Sequence, residues 1–345
     1  MKKKQIRLTI PAVFLAAILL IFFGFFYWKE HKTLIIDQNP AVYTYEDLVS
    51  DTDILKSRYA SVFSADSLGE TVDGRQILHF VIGDKEASRK ILINGGIHAR
   101  EYITCQLVMK QTVSFLEHLV SGDSYGDTPY EELLRDTAIH VICMVNPDGI
   151  SISQLGLDGV QTDAVRENLS QIAQLDGASL ADSTYLNRWK ANANGVDLNR
   201  NFDALWDSYA DPAGHPSSDH YKGTAPGCEI ESAALIQLTL QQQFTRTISY
   251  HTQGDVIYWY FGQEGDLYDQ TLSFANTIAA TTGYPLDADY QSLDPAGYKD
   301  WAIQNQGIPS LTIEVGLQDS PVPAEQFATI WAENQFVWEE TLKIR

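Results

Sequence analysis

The chain has only three cysteines, Cys105, Cys143 and Cys228, among its 345 residues. Three thiols cannot build the paired framework that staples small secreted domains. Cys105 in "YITCQLVM" and Cys143 in "HVICMVN" lie in apolar settings that suit core packing rather than nucleophilic or metal chemistry. Internal repeats, low-complexity tracts and a basic tail are also absent from the sequence, which excludes solenoid and propeller arrays. Basic charge is scarce: 24 Lys and Arg stand against 45 Asp and Glu. Five of those bases and one acid fall within the first 30 residues, so the remainder keeps 19 bases against 44 acids, a formal charge of −25. Such a body argues against nucleic-acid binding and against adhesion to an anionic surface by simple attraction. Its few local bases carry more meaning for that reason.

One long hydrophobic run is present. "MKKKQIR" supplies Lys2, Lys3, Lys4 and Arg7, and from Leu8 to Trp28 only Thr9 and Pro11 depart from apolar, aromatic or small residues. About 20 residues in a helix cross a hydrocarbon core of about 30 Å. The basic cluster would stay cytoplasmic and the body would lie outside. The competing reading is a cleaved signal peptide and a secreted product, but no A-x-A-like site follows in "GFFYWKEHK", and no nearby cysteine could carry a lipid. The expected division is a basic cytoplasmic segment at 1–7, a transmembrane anchor at 8–28, a linker at 29–42 and one catalytic-sized domain at 43–345.

"YTYEDLVSDTDILKSRYASVF" predicts a helix with an acidic first turn. The runs "ILHFVIG", "KILINGG" and "IHVICMVNP" predict strands, and "ITCQLVMKQTVSFLEHLV" a helix between the last two. "TRTISYHT", "DVIYWYF" and "SLTIEVG" add further strands, so the domain should be a layered α/β structure. The stretch from Ser151 to about Asn187, rich in Asp, Gln, Ser and Gly, reads as a long surface excursion near a functional site.

In "INGGIHAREYIT" a buried strand ends at a Gly-Gly turn, and His98 and Glu101 project from the junction with the next helix. Residues three apart share a helical face and can converge on one ion. A catalytic zinc needs three protein ligands, and His251, closing the strand "TISYH", offers the third; His2Glu is a zinc set already attested in thermolysin and carboxypeptidase A. "GVDLNRNF" places Asn199 and Arg200 side by side after what reads as a short apolar strand, an amide and a guanidinium fork suited to a carboxylate. Glu314 lies in the apolar strand "SLTIEVG", where an unpaired carboxylate is costly.

With "GGIHAREYI", "VNPDG", "GVDLNRNF", "SYHTQG" and "SLTIEVG" in that order, the chain from about Tyr43 onward resembles the zinc carboxypeptidases of the carboxypeptidase A type. The resemblance implies a mixed, twisted central sheet with helices on both faces and one Zn2+ held by His98, Glu101 and His251. It also implies that Asn199 and Arg200 hold a substrate carboxylate, that Arg100 lies near the substrate, and that Glu314 is the general base. Where the family has an arginine after a tryptophan to stabilise the oxyanion, "NRWKANANG" has Lys190 after Trp189, with Arg188 as the near alternative.

The family sets specificity fifteen positions before the catalytic glutamate, which here is Lys299. A lysine there favours an acidic side chain or a second carboxylate. "DYQSLDPAGYK" resembles the loop of the family's substrate-capping tyrosine, with Tyr290 the better match and Tyr298 its rival. The anchor and the motifs together look most like the bacterial cell-wall branch, whose members cleave γ-D-glutamyl bonds to diamino acids in peptidoglycan stem peptides. Two other readings stand beside it: a carboxypeptidase releasing C-terminal Asp or Glu from external peptides, and a silent, membrane-anchored peptide-binding module.

Overall fold

The computed structural model describes residues 33–289 and 294–344. The expected anchor at 8–28 and Tyr290 lie outside those residues. Eight strands form one sheet: β1 (Phe63–Glu70), β2 (Gln76–Ile82), β3 (Arg89–Asn94), β4 (Thr137–Ile142), β5 (Arg246–His251), β6 (Val256–Tyr258), β7 (Leu286–Asp287) and β8 (Ser310–Glu314). Their spatial order is β1-β2-β4-β3-β5-β8-β6-β7. β4, β3, β5 and β8 run parallel, β1 and β2 pair antiparallel with their neighbours, and β6 pairs antiparallel with β8 but parallel with β7. The mixed sheet with helices on both faces is the expected fold.

The central strands are apolar without alternation because both of their faces are covered. Ile91 and Ile93 of β3 face a core shared with the helices Ile103–Ser121 and Gly265–Thr282, and Leu92 faces the opposite core, shared with Ile230–Gln242 and Tyr298–Gln306. The first expected helix spans Tyr45–Arg58, opened by a reciprocal cap between Thr44 and Asp47. Leu34 and Ile36, inside the stretch read as a linker, are fully buried, and the amides of Ile35 and Ile36 donate to Asp51.

Two expectations need correction. The 151–187 excursion is not a bare loop: the helices Pro147–Leu155, Asp163–Leu175 and Ser183–Asn187 enclose a small core of their own around Trp189. Val165, Leu169, Ile172 and Ala173 form its buried stripe at helical spacing, diluted by the polar residues between them. The short strand expected before Asn199 is instead a tight 3-10 turn, Leu198–Arg200, because Asp197 accepts from the Asn199 amide and bends the chain there.

The sheet also explains the glycine pair before His98. Gly96 has φ +65°, and a Cβ there would run into Cys105 Sγ and Ile150. Only glycine lets the chain turn off β3 this tightly and lift His98 over the carboxyl edge of the sheet.

Candidate metal centre and substrate cleft

The centre lies where β3, β5 and β8 end, at the carboxyl edge of the parallel strands, where open α/β sheets bind ligands. His98 and Glu101 come from the turn after β3, His251 is the last residue of β5, and Glu314, the last of β8, pairs with His251 in register. His98 Nδ1 is 2.8 Å from Glu101 Oε1, His251 Nδ1 is 3.1 Å from Glu101 Oε2, and the two Nδ1 atoms are 3.2 Å apart. All three residues are buried, and their ligand atoms lie within 4.8 Å of one another.

The electrostatics fit a cation. Burial by itself would raise the Glu101 pKa, but His98 and His251 outweigh it and hold the carboxylate well below its usual range. Burial likewise disfavours a charged His251, yet its hydrogen bond to Glu101 and the Glu101 charge raise its pKa. The Glu101 carboxylate thus draws positive charge to this point, and a divalent cation would supply it, with one ligand atom from each of the three residues close enough to share it. Behind His98, Nε2 faces Asp197 Oδ1 at 3.2 Å, the carboxylate–histidine arrangement that fixes a ligand's tautomer and orientation.

Glu314 Oε2 is shielded from solvent and has no hydrogen-bond partner among the described residues. Burial, with the Glu101 charge behind it, pushes its pKa up to about 8 against the pull of His251, Lys190 and Arg200. Lys190 is buried, its Nζ 2.9 Å from Asp197 Oδ2 and 3.1 Å from Asp219 Oδ1. One of its three donors remains. Arg188, the alternative, is half-exposed at the surface, and Arg100 bonds to the Arg188 carbonyl and to Asp219.

Arg200 lies over the Tyr209 ring at 5.6 Å and donates to the Asn199 carbonyl at 2.6 Å. Asn199 Oδ1 accepts from the Tyr298 amide, which aims the rest of that amide group. Lys299 is buried rather than solvated: its Nζ is 2.6 Å from Asp300 Oδ1, donates to the Tyr260 carbonyl and lies over Phe261. Tyr298 cannot serve as a moving cap, because it is 1% exposed and its hydroxyl bonds Thr239 in the core. Cys105 and Cys143 are buried core thiols, as expected.

Asp197 and Asp219 were missed by the sequence reading. Asp197 had a signal, an acid inside the apolar-flanked "GVDLN", whereas nothing local marked Asp219.

Residues 48–337 match the zinc carboxypeptidase family. The chain belongs to this family. One zinc ion is the family's cofactor, and this zinc carboxypeptidase is a metallopeptidase. It is 30% identical over 292 residues to gamma-D-glutamyl-L-diamino acid endopeptidase 1 of Lysinibacillus sphaericus, a match covering 84% of this chain and 70% of that one. It is 29% identical over 300 residues to the uncharacterized protein YqgT of Bacillus subtilis (strain 168), covering 85% and 76%. Among solved structures, thrombin activatable fibrinolysis inhibitor shares the fold with a TM-score of 0.68 at 18% identity, over 87% of this chain and 73% of that one. The carboxypeptidase A of Helicoverpa armigera does so at 0.65 and 16%, over 88% and 74%.

Proposed function

We propose that this peptidase hydrolyses the bond between a γ-D-glutamyl residue and a diamino acid in cell-wall stem peptides, outside the cell and anchored by residues 8–28. The chemistry rests on one observation: an unpartnered Glu314 oxygen beside a buried His98–Glu101–His251 donor set. The substrate rests on the similarity to the Lysinibacillus endopeptidase and on two cations, the partly buried Arg200 and the buried Lys299. The anchor rests on the sequence alone; among the described residues no helix is long and apolar enough to cross a membrane.

In this reading His98, Glu101 and His251 hold the zinc. When bound, the ion supplies Lewis acidity that polarises a carbonyl and lowers the pKa of water. Glu314 takes a proton from the attacking water at Oε2 and passes it to the leaving nitrogen as the C–N bond breaks. The remaining donor of Lys190 serves the developing oxyanion. Asp197 orients His98 and holds Lys190 at the same time. Asn199 and Arg200 take one carboxylate of the departing diamino acid, and Lys299 takes the second. Tyr290 is the capping residue of the same proposal.

The test is mass spectrometry of products from zinc-loaded full-length protein in detergent, given stem peptides and linear peptides ending in Asp or Glu, with Glu314→Gln as the control. Cleavage of the γ-D-glutamyl bond by the unmutated protein alone supports the proposal. Release of only terminal Asp or Glu makes it an acidic carboxypeptidase, and no product from either leaves the peptide-binding module.

A further inference from the structure

The cations proposed for the cleft are held in different ways. Lys190 lies between Asp197 and Asp219, and Lys299 Nζ is 2.6 Å from Asp300. Arg200 is held by neutral groups. Its Nη1 donates to the main-chain carbonyls of Asn199 at 2.6 Å and Pro295 at 3.5 Å, and its guanidinium lies over the Tyr209 ring. Its nearest acid among the described residues is the half-exposed Asp294, 3.9 Å from Nη2. A carboxylate set against a cation cancels much of its field, whereas an aromatic face attracts the cation and leaves its charge in place.

Tyr209 is itself firmly placed. Leu205, at φ +53°, leads into the 3-10 turn Trp206–Ser208, and the Tyr209 amide closes that turn on the Trp206 carbonyl. Lys222 pins the turn: its Nζ donates to the carbonyls of Trp206 and Tyr209, each at 3.1 Å, and lies over the Trp206 ring. The Tyr209 hydroxyl donates to the His220 carbonyl at 3.3 Å. Tyr209 is buried, and burial raises its pKa against the pull of Arg200, so the guanidinium meets a neutral phenol and not a phenolate.

We propose that Tyr209 is a positioning residue that fixes the Arg200 guanidinium for the carboxylate of the departing residue without neutralising it. Tyr209 acts through Arg200 and need not touch the substrate. The inference rests on the role proposed for Arg200 and deepens it. A carboxylate arriving at Arg200 finds a cation already oriented and uncommitted to an acid, so less order is lost on binding.

The experiment uses zinc-loaded full-length protein in detergent and measures kcat and KM for Tyr209→Leu and Tyr209→Phe. The substrates are a γ-D-glutamyl stem tripeptide and a linear peptide ending in Glu, each with the α-carboxylate of its departing residue free or converted to the carboxamide. Binding of the same peptides to Glu314→Gln, with and without Tyr209→Leu, is measured by calorimetry. Tyr209→Leu should raise KM for the free carboxylates about 2- to 30-fold, the range of a cation–π contact, with kcat little changed. The carboxamides should show no such rise, and Tyr209→Phe, which keeps the aromatic face, should keep the KM of the unmutated protein. The ratio of kcat/KM between free carboxylate and carboxamide is unaffected by any fraction of a variant that fails to fold. An unchanged ratio in Tyr209→Leu, or the same loss in Tyr209→Phe, would overturn the proposal. If only the linear peptide is cut and its ratio falls as expected, the positioning role stands and the wall-peptidase reading alone falls. If neither is cut, calorimetry decides: a preference for the free carboxylate that Tyr209→Leu weakens upholds the role, and absence of that preference removes the role of Arg200 and this one with it.

Discussion

Glu101 and Glu231 are nearly equally buried, 4% and 2% exposed, and meet opposite fates. Glu101 lies between two histidines, accepts the Thr252 amide, and is held ionised well below its usual range despite burial. Glu231, in the first turn of the helix Ile230–Gln242, is met by its own backbone amide and by Asn192 at 3.2 Å, with a second carboxylate, Glu229, nearby. Burial, seconded by the Glu229 and Asp148 charges, pushes its pKa up to about 8, and its Oε1 has no partner among the described residues. One carboxylate is held charged by the donors that converge with it; burial pushes the other toward its protonated form. Burial of an acid is thus not what marks a site. Convergence of lone pairs on one point is.

The largest effect should come from breaking the cradle. His251→Ala, or chelation of the native protein, should abolish zinc binding and reduce peptidase activity to background, with added zinc restoring only the chelated protein. Zinc at about 1,000 times its Kd should stabilise the unmutated fold by about 4 kcal/mol, read as a rise in Tm that the variant lacks. Glu314→Gln should keep the zinc and lower kcat by about 10²- to 10⁴-fold, the range of general-base catalysis, with little change in KM. A parallel loss of zinc would show that Glu314 is a ligand instead.

A smaller effect is expected at the buried cation. Lys299→Gln should raise KM about tenfold or more for substrates with two carboxylates on the departing residue, and less for those with one. Equal loss on both would mean that its pairing with Asp300 is only structural.

The smallest effect sharpens the carboxylate comparison. With a folded pKa of about 8 against 4.5, the folded state holds the Glu231 proton that the unfolded chain has released. Stability from this group is therefore present below about pH 4.5, falls as pH rises toward about 8, and levels off above. Glu231→Gln should remove that part of the pH dependence, so that Tm at pH 8 relative to pH 5 improves by a few degrees. An unchanged Tm–pH curve would show that Glu231 is ionised in the fold.

The residues that make the centre were legible because each closes or follows a short apolar run: His98 after β3, His251 ending β5 and Glu314 ending β8. A polar side chain at the end of a buried strand has few structural uses. Strand β1 was not legible, because "FSADSLGE" lies at the sheet edge with mostly open faces and so carries little apolar signal. The helix Asp163–Leu175 was hidden by its Gln, Asn and Glu, though its stripe could have been counted. Asp219 could not be found from sequence, since its partners Lys190 and Arg100 meet it only through long-range folding.

Zinc stoichiometry, measured by calorimetric titration of the metal-free protein, tests the central claim most directly. One ion per chain is expected for the unmutated protein, for Glu314→Gln and for Glu231→Gln, and none for His251→Ala. Full binding by a correctly folded His251→Ala, or loss of binding in Glu231→Gln, would contradict the assignment of the cradle.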